Sequence, residues 1–166
     1  MKEIPLTMGM VALVDDDDYD RMSRYNWYAA NNNYYTYYAV RGVRKGGGYK
    51  NIRMHREVLG VTDASVYVDH IDGNGLNNCK SNLRPCSKSQ NNTHRIHRQK
   101  NNTSGFVGVS FNRRDKKWWA YLYKDGKNVH VGRFDSEIDA AIARDRAAVE
   151  IQGEFAILNF REDDKK

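Results

Sequence analysis

Cysteine and long apolar runs are both scarce in this chain of 166 residues. Its two cysteines, Cys79 and Cys86, form no C-x-x-C pair, so the sequence suggests neither a zinc knuckle nor a disulfide framework. Free thiols in a reducing compartment are therefore expected. No apolar stretch approaches the length needed to span a bilayer, and the N-terminus lacks a basic flank followed by a long apolar run. These absences predict a cytoplasmic protein.

Acidic residues are nearly missing between Lys80 and Arg133, where lysine and arginine crowd together. The whole chain has a formal net charge of +6. A positive potential over this half suits a polyanion, although a merely soluble basic surface would have the same composition. The content of tyrosine, tryptophan, valine and isoleucine is too high for a disordered chain, so we expect it to fold.

The first sixty residues have the pattern of an antiparallel β meander. Apolar runs at 4–7 and 11–14 predict a hairpin with Gly9 in its turn. The acids from Asp15 to Asp18 precede apolar residues at helical spacing, so we interpret them as a helix cap rather than a metal site. Further strands are predicted at 27–29, 34–44 and 49–55, and a short helix at 56–59 ends at Gly60.

A second pattern follows a basic stretch without apolar periodicity at 93–103. Strands are predicted at 106–111, 118–124 and 128–134, and a helix from the N-cap Ser136 to about residue 151. Four helix residues are expected to pack on the sheet: Ile138, Ala141, Ile142 and Val149. The fold class is therefore α+β, with a meander and a ββα core followed by a small three-stranded sheet with one packed helix.

The stretch from Val68 to Asn92 carries the chemistry. An Asp-His pair ends a strand, an Asp-Gly-Asn loop follows, and a second strand begins Asn-Leu-Arg before a helix start rich in asparagine. This arrangement resembles the HNH nucleases, whose core is a ββα-metal fold. His70 and Asn82 are twelve residues apart, and Asn82 and Asn91 are nine apart. These intervals match the variant in which asparagine replaces the final histidine.

The resemblance implies a role for each of these residues. His70 would be the general base, Asp69 and Asn91 would hold one divalent ion, Mg²⁺ or Mn²⁺, and Asn82 would orient His70 as a support of the catalytic group. Alternation along the strand separates the base from the ligand, because Asp69 and His70 point to opposite sides. His94, three residues after Asn91, is a rival or an additional ligand.

Three neighbouring residues have alternative interpretations. Asp72 is either a turn former, which we favour, or a ligand. His55 either packs against the core or contacts phosphate. Arg84 is either a phosphate contact or a strand-surface arginine.

The ordered series from Gly105 to Phe160 resembles the Apetala/ethylene-response-factor DNA-binding domain, in which a three-stranded sheet enters the major groove and a helix braces its back. Alternation places Trp118, Ala120 and Leu122 against the helix. The face expected to read DNA comprises Ser110, Asn112, Trp119, Tyr121, Tyr123, Asn128 and His130, and the expected phosphate contacts are Arg113, Arg114, Lys116, Lys124 and Lys127.

This series departs from the plant pattern where plant domains carry base-reading arginines. Several of those positions hold Val107, Ser110, Asn112, Tyr123 and Asn128. The recognition sequence of the plant domains is therefore not transferred to this chain.

Together the patterns predict a two-part DNA endonuclease. A nuclease domain would span 1–92, with its meander at 1–60 and its core at 65–92, and a basic linker at 93–103 would join it to a DNA-binding domain at 104–160 before a charged tail at 161–166. Such pairings resemble homing endonucleases of mobile introns and phages, which act on double-stranded DNA in the host cytoplasm. A monomer would nick, and a homodimer or two successive events would cut both strands. The alternatives are a non-cleaving DNA-binding regulator and an RNA-directed nuclease or binding protein.

Overall fold

The computed structural model describes residues 1–31, 36–93, 102, 104–124 and 126–160. It confirms the α+β class, with antiparallel sheets and four α-helices within those ranges. The chain divides into two units, Met1–Lys88 and Ser89–Lys166. The predicted linker at 93–103 and the tail at 161–166 lie almost wholly outside the described residues. No described helix combines the length and apolar character that crossing a bilayer requires.

The first unit contains three small antiparallel sheets. Their strands and the helices between them are β1 (Lys2–Pro5), β2 (Val11–Val14), α1 (Asp16–Met22), β3 (Tyr28–Asn31), β4 (Tyr37–Lys45), β5 (Gly48–Arg53), α2 (Met54–Val58), β6 (Tyr67–His70) and β7 (Leu83–Cys86). β1 pairs with β2, β6 pairs with β7, and β4 lies between β3 and β5. The predicted hairpin and meander are thus present. A short helix, α3 (Lys88–Thr93), spans the division between the units.

One apolar core joins these elements. Ile4, Val14 and Met22 come from the N-terminal hairpin and α1, whereas Val68 and Leu83 come from the β6–β7 hairpin. Each of these side chains is at least nine-tenths buried. The β6–β7 hairpin is therefore packed onto the rest of the unit through both of its strands.

The helix predicted at 56–59 begins earlier than expected, at Met54. Met54 and His55 are both buried, at 0% and 3% exposure. A strand would send consecutive side chains to opposite faces, whereas a helix can turn two neighbours toward one core. The predicted alternation through His55 was therefore wrong at its end.

The acids from Asp15 to Asp18 lie at the start of α1, as predicted, but the capping interpretation needs correction. Asp15 is the N-cap residue, yet its side chain makes no capping hydrogen bond. Its Oδ2 instead accepts a hydrogen bond from the backbone N–H of Lys80 at 2.7 Å. The buried Asp18 pairs with Arg21 at 2.6 Å and with Lys80 Nζ at 2.7 Å. The acids thus hold the segment that leads into β7.

The second unit is a βββα module, as predicted. The sheet runs β8 (Val109–Asn112), β9 (Lys117–Lys124) and β10 (Lys127–Phe134) in spatial order, and α4 (Glu137–Gln152) packs on it. Ser136 is the N-cap of α4, and its side chain accepts a hydrogen bond from the backbone N–H of Asp139. Ala120 and Leu122 are buried and Trp118 packs against the same core, so the predicted inner face is confirmed.

The face of α4 that meets the sheet differs from the prediction. Ile138, Ile142 and Val149 are 55%, 37% and 54% exposed. The buried stripe is Ala140, Ala141, Arg144, Asp145 and Ala148. Of the four predicted packing residues only Ala141 lies inside. Small side chains on this stripe leave room for the bulky Trp118, Phe134 and Phe106 that fill the rest of the core.

An ion pair inside the second unit fastens the C-terminal segment to α4. Arg144 and Asp145 lie 3.1 Å apart with side chains 6% and 11% exposed. Asp145 also accepts hydrogen bonds from the backbone N–H groups of Asn159 at 2.6 Å and Phe160 at 3.0 Å, while Arg144 donates to the carbonyl of Ile157. The carboxylate of Asp145 thus accepts from several donors and also compensates the buried charge of Arg144.

Candidate active site and nucleic-acid interface

Asp69 and His70 occupy the last two positions of β6, where they face the β7 strand. In the register, Asp69 lies opposite Arg84 and His70 lies opposite Leu83. Both predicted functional side chains are buried, with exposures of 7% and 4%. A carboxylate and an imidazole are therefore brought to one strand end that is shielded from bulk water.

Arg84 is not a strand-surface arginine, and its predicted contact with phosphate stays a prediction. Its Nε and Nη2 lie 2.9 Å and 2.8 Å from Oδ2 of Asp69, and both side chains are about nine-tenths buried. The guanidinium supplies the positive charge that a buried carboxylate requires. The sequence could have indicated this pair, because residues at matching positions of two antiparallel strands lie opposite each other.

The loop between β6 and β7 is closed by Asn82. Its Nδ2 donates to Oδ1 of Asp72 at 2.9 Å and to the carbonyl of Asn77 at 2.8 Å, while its Oδ1 accepts from the backbone N–H of Asp72 at 3.0 Å. One amide thus bridges the beginning and the end of the loop. This geometry suits the predicted supporting role.

Asp72 forms the turn of this loop. Its carboxylate accepts hydrogen bonds from the backbone N–H of Asn74 at 2.8 Å and from Nδ2 of Asn77 at 2.7 Å. Burial alone would raise the pKa of this carboxyl, but the hydrogen bonds from Asn77, Asn74 and Asn82 hold the pKa below its usual value. The oxygens are therefore ionised and engaged within the loop, as a turn former requires.

The ring of His70 is enclosed by an amide and two aromatic rings. Nε2 lies 3.4 Å from Oδ1 of Asn78. The ring centroids of His55 and Tyr38 lie 5.0 Å and 5.7 Å from that of His70. Burial lowers the pKa of His70, against the smaller opposing effects of Asn78 and nearby carboxylates. The imidazole is consequently held neutral, which is the form that can accept a proton.

His55 packs against the core, which favours that interpretation over a contact with phosphate. It is 3% exposed, and its ring meets those of His70 and Tyr38 nearly edge to face, at 87° and 69°. Burial, with smaller contributions from the nearby His70, Arg53 and Arg56, lowers the pKa of His55 to about 2. This ring is neutral throughout the physiological pH range.

The neutral His55 makes the stability of the folded chain depend on pH. The unfolded chain takes up this proton below the ordinary pKa of 6.5, whereas the folded chain does so only near 2. The stabilising contribution is therefore complete above pH 6.5 and is lost progressively as the pH falls toward 2. Between pH 6.5 and 5 the loss is about 2 kcal/mol, at about 1.4 kcal/mol per pH unit.

Urea unfolding at pH 7 and pH 5 measures this dependence. Replacement of His55 by phenylalanine keeps a ring in place and removes the proton site, so the variant is expected to lose about 2 kcal/mol less between the two pH values than the wild type. Equal losses in the two proteins would show that His55 is not buried as a neutral ring.

Gly75 allows the β6–β7 loop to pack closely against the start of β4. A Cβ at this position would lie 2.5 Å from the carbonyl oxygen of Tyr37 and 2.8 Å from the ring of Tyr38, so only glycine fits without displacement. The backbone N–H of Gly75 also donates to Oγ1 of Thr36 at 2.9 Å. This close approach brings Tyr38 to the ring of His70. Sequence reasoning missed Gly75, Tyr38 and Asn78, because their types are ordinary for turns and strands.

The two remaining predicted ligands stay predictions. Asn91 lies half-buried in α3, beyond the division between the units, and His94 lies outside the described residues. Within the described ranges no three His, Cys, Asp or Glu side chains are grouped to hold a metal ion. The predicted metal ligands would not form such a cluster, because one of them is the amide oxygen of Asn91 and the other is the carboxylate of Asp69. Hard oxygen donors of this kind suit Mg²⁺ or Mn²⁺.

The outer face of the second unit's sheet gathers polar and aromatic side chains in register. Tyr121 lies opposite His130, and Tyr123 lies opposite Asn128. Ser110 lies opposite Trp119, whose ring meets that of His130 at a centroid distance of 5.4 Å. The structure thus brings these predicted residues onto the face that α4 does not cover.

Arg133 joins this face and was missed. Simple alternation from His130 would turn Gly132 outward and Arg133 inward, but a bulge between His130 and Gly132 shifts the register by one residue. Arg133 consequently lies opposite Trp119, with its guanidinium carbon 4.9 Å from the centroid of the indole ring. An isolated glycine within a strand is the signal that could have indicated the bulge.

The turns of the sheet carry the predicted phosphate contacts. Arg113, Arg114 and Lys116 are exposed between β8 and β9, and Lys124 and Lys127 are exposed at the end of β9 and the start of β10. Asn112 differs from the prediction in part, because its Oδ1 accepts from the backbone N–H groups of Arg114 at 3.0 Å and Asp115 at 3.1 Å. Its amide oxygen shapes the turn instead of facing outward.

Comparison with known proteins gives results for both halves of the chain. No protein-family model matches it. An AP2-like ethylene-responsive transcription factor of Arabidopsis thaliana is 36% identical over 88 residues, which cover 53% of this chain and 18% of the plant protein. Protein 3.8 of Escherichia phage T7 is 34% identical over 113 residues, which cover 65% of this chain and 91% of the phage protein.

A viral protein is similar to this chain over most of the length of both proteins. An uncharacterised HNH endonuclease of Acanthamoeba polyphaga mimivirus is 30% identical over 156 residues, which cover 91% of this chain and 75% of the viral protein. Similarity of this extent includes the β6–β7 hairpin that holds Asp69, His70 and Asn82. The chain therefore belongs to the HNH endonuclease family.

Proposed function

We propose that this protein is a divalent-metal-dependent DNA endonuclease of the homing type. The observation that carries the proposal is the end of β6, where the carboxylate of Asp69 and the neutral, enclosed ring of His70 occupy consecutive buried positions. Membership of the HNH family and the partial similarity to AP2-like transcription factors support a nuclease that acts on DNA.

In the proposed reaction, His70 accepts a proton from the attacking water at its available ring nitrogen. Asp69 and Asn91 would hold one Mg²⁺ or Mn²⁺ ion, with His94 as a possible further ligand. The ion would neutralise charge on the phosphoryl oxygens and stabilise the departing 3′ oxygen. Asn82 keeps the loop closed behind the base. The expected products have a 5′-phosphate and a 3′-hydroxyl.

Duplex DNA would be held by the outer sheet face of the second unit. A twisted three-stranded sheet fits the width of the major groove. Tyr121, Tyr123, Asn128 and His130 would meet base edges and the turn lysines and arginines would meet phosphates. Arg133, seated over Trp119, adds a guanidinium of the kind that recognises guanine. One catalytic site per chain hydrolyses one strand at a time, so the monomer would nick.

The proposal is tested with supercoiled plasmids that carry a pool of random inserts. Nicked or linear product is expected with Mg²⁺ or Mn²⁺ and none with excess chelator, because the metal is required for hydrolysis. Sequencing of the 5′-phosphate ends identifies the cleaved sites. Sequence-specific binding without cleavage under every metal condition would instead establish the non-cleaving regulator.

A further inference from the structure

We infer that Asn78 is a positioning residue that fixes the tautomer of His70, with the proton on Nε2 and Nδ1 presented as the basic nitrogen. The inference rests on the proposed function only for the use of Nδ1 in catalysis. The tautomer itself follows from three features of the loop: the orientation of the Asn78 amide, its attachment to β2, and the enclosure of the His70 ring.

The orientation of the Asn78 amide is set by its second contact. Nδ2 donates to the carbonyl of Leu76 at 3.1 Å. A flipped amide would place Oδ1 against that carbonyl oxygen, and two acceptors would then face each other in a buried space. Oδ1 therefore faces Nε2 of His70, at 3.4 Å.

Asn78 cannot turn away from this position. Its side chain is completely buried. Its backbone N–H donates to the carbonyl of Leu13 at 2.8 Å, and the N–H of Leu13 donates to Leu76 at 2.8 Å. The loop is thus attached to β2 at Leu76 and at Asn78 itself. The amide oxygen is a fixed acceptor, comparable to a backbone carbonyl.

A fixed acceptor selects the protonated nitrogen of the ring. In a neutral imidazole one nitrogen donates and the other accepts, so a donor at Nε2 leaves Nδ1 with its lone pair. Among the described residues, the contact with Asn78 is the one hydrogen bond to this ring. His55 and Tyr38 pack around the ring and restrict its rotation. Hydrogen bonds to catalytic groups are often long in the absence of substrate, and the distance of 3.4 Å fits this pattern.

The tautomer is measured directly on the full-length, metal-free protein labelled with ¹⁵N. Long-range ¹H–¹⁵N correlation spectra distinguish a protonated from a lone-pair nitrogen, and the His70 signals are assigned by their loss in His70→Gln. A protonated Nε2 is expected in the wild type. A proton on Nδ1 would overturn the inference whether or not the protein cleaves DNA. This measurement needs no Asn78 variant, so it stands even where such a variant fails to fold.

Two variants test the cause. Asn78→Leu preserves the volume and removes the acceptor, so His70 is expected to populate both tautomers and kcat to fall about 10- to 100-fold with little change in KM. Asn51→Leu makes the same substitution at an exposed position of β5 and is expected to leave the tautomer unchanged. An unaltered His70 spectrum in folded Asn78→Leu would also overturn the inference. Wild-type protein with a protonated Nε2 but no cleavage would refute the proposed function and leave the tautomer assignment intact.

Discussion

Replacement of His70 by alanine is expected to slow DNA cleavage by about 10²- to 10⁴-fold, the usual contribution of a general base. The ring is neutral and buried next to Asp69, and no other histidine of the first unit is placed to replace it, since His55 is enclosed by Tyr38 and His70 itself. Single-turnover cleavage with Mg²⁺ and saturating protein measures the chemical step separately from binding.

DNA binding provides the control for this variant. His70 lies outside the sheet face that is proposed to hold the duplex, so His70→Ala in chelator should bind DNA with an affinity close to that of the wild type. His70→Gln, which retains a polar side chain without a basic ring, should be as slow as His70→Ala. Cleavage by either variant at the wild-type rate would mean that another group is the base.

Replacement of Asp145 by alanine is expected to destabilise the second unit by about 3–5 kcal/mol, the usual cost of removing one partner of a buried ion pair. The substitution leaves the charge of Arg144 buried and unpaired, and it removes the acceptor for the backbone N–H groups of Asn159 and Phe160. Hydrogen exchange followed by mass spectrometry separates the two units, because peptides from β8–β10 and from β1–β5 can be quantified independently.

Faster exchange is expected in the second unit alone, with a matching loss of DNA affinity. Glu150→Ala, at an exposed position of the same helix, is the matched control and should change stability by less than about 0.5 kcal/mol. Equal protection of β9 in Asp145→Ala and in Glu150→Ala would show that the ion pair does not stabilise the second unit.

Local patterns predicted much of this molecule because the corresponding elements depend on neighbours in sequence. The Asp-Gly-Asn loop, the strands on either side of it and the cap at Ser136 are determined by turn chemistry and short-range hydrogen bonds. The alternation that placed Tyr121 and Tyr123 outward is likewise a property of the strand itself.

The predictions that were wrong failed because of tertiary contacts. Apolar character placed Ile138, Ile142 and Val149 inside, but aromatic rings fill much of the space beneath α4, and the buried face of the helix consists of alanines and the Arg144–Asp145 pair. Arg133 faces outward because of one extra residue in β10, and Arg84 turns inward because Asp69 is its partner across the hairpin. The roles of His55 and Asn78 depend on segments distant in sequence, which no local pattern reveals.

The contacts from β2 and from the start of α1 to the β6–β7 loop limit how small a protein that keeps this loop in place can be. Leu13 bonds to Leu76 and Asn78, and Asp15 bonds to Lys80 across 65 positions of sequence. The first 22 residues thus position a loop that is synthesised later. They have already left the ribosome when that loop appears. Transferring β6, β7 and α3 alone to another DNA-binding protein would remove the contacts that position the loop.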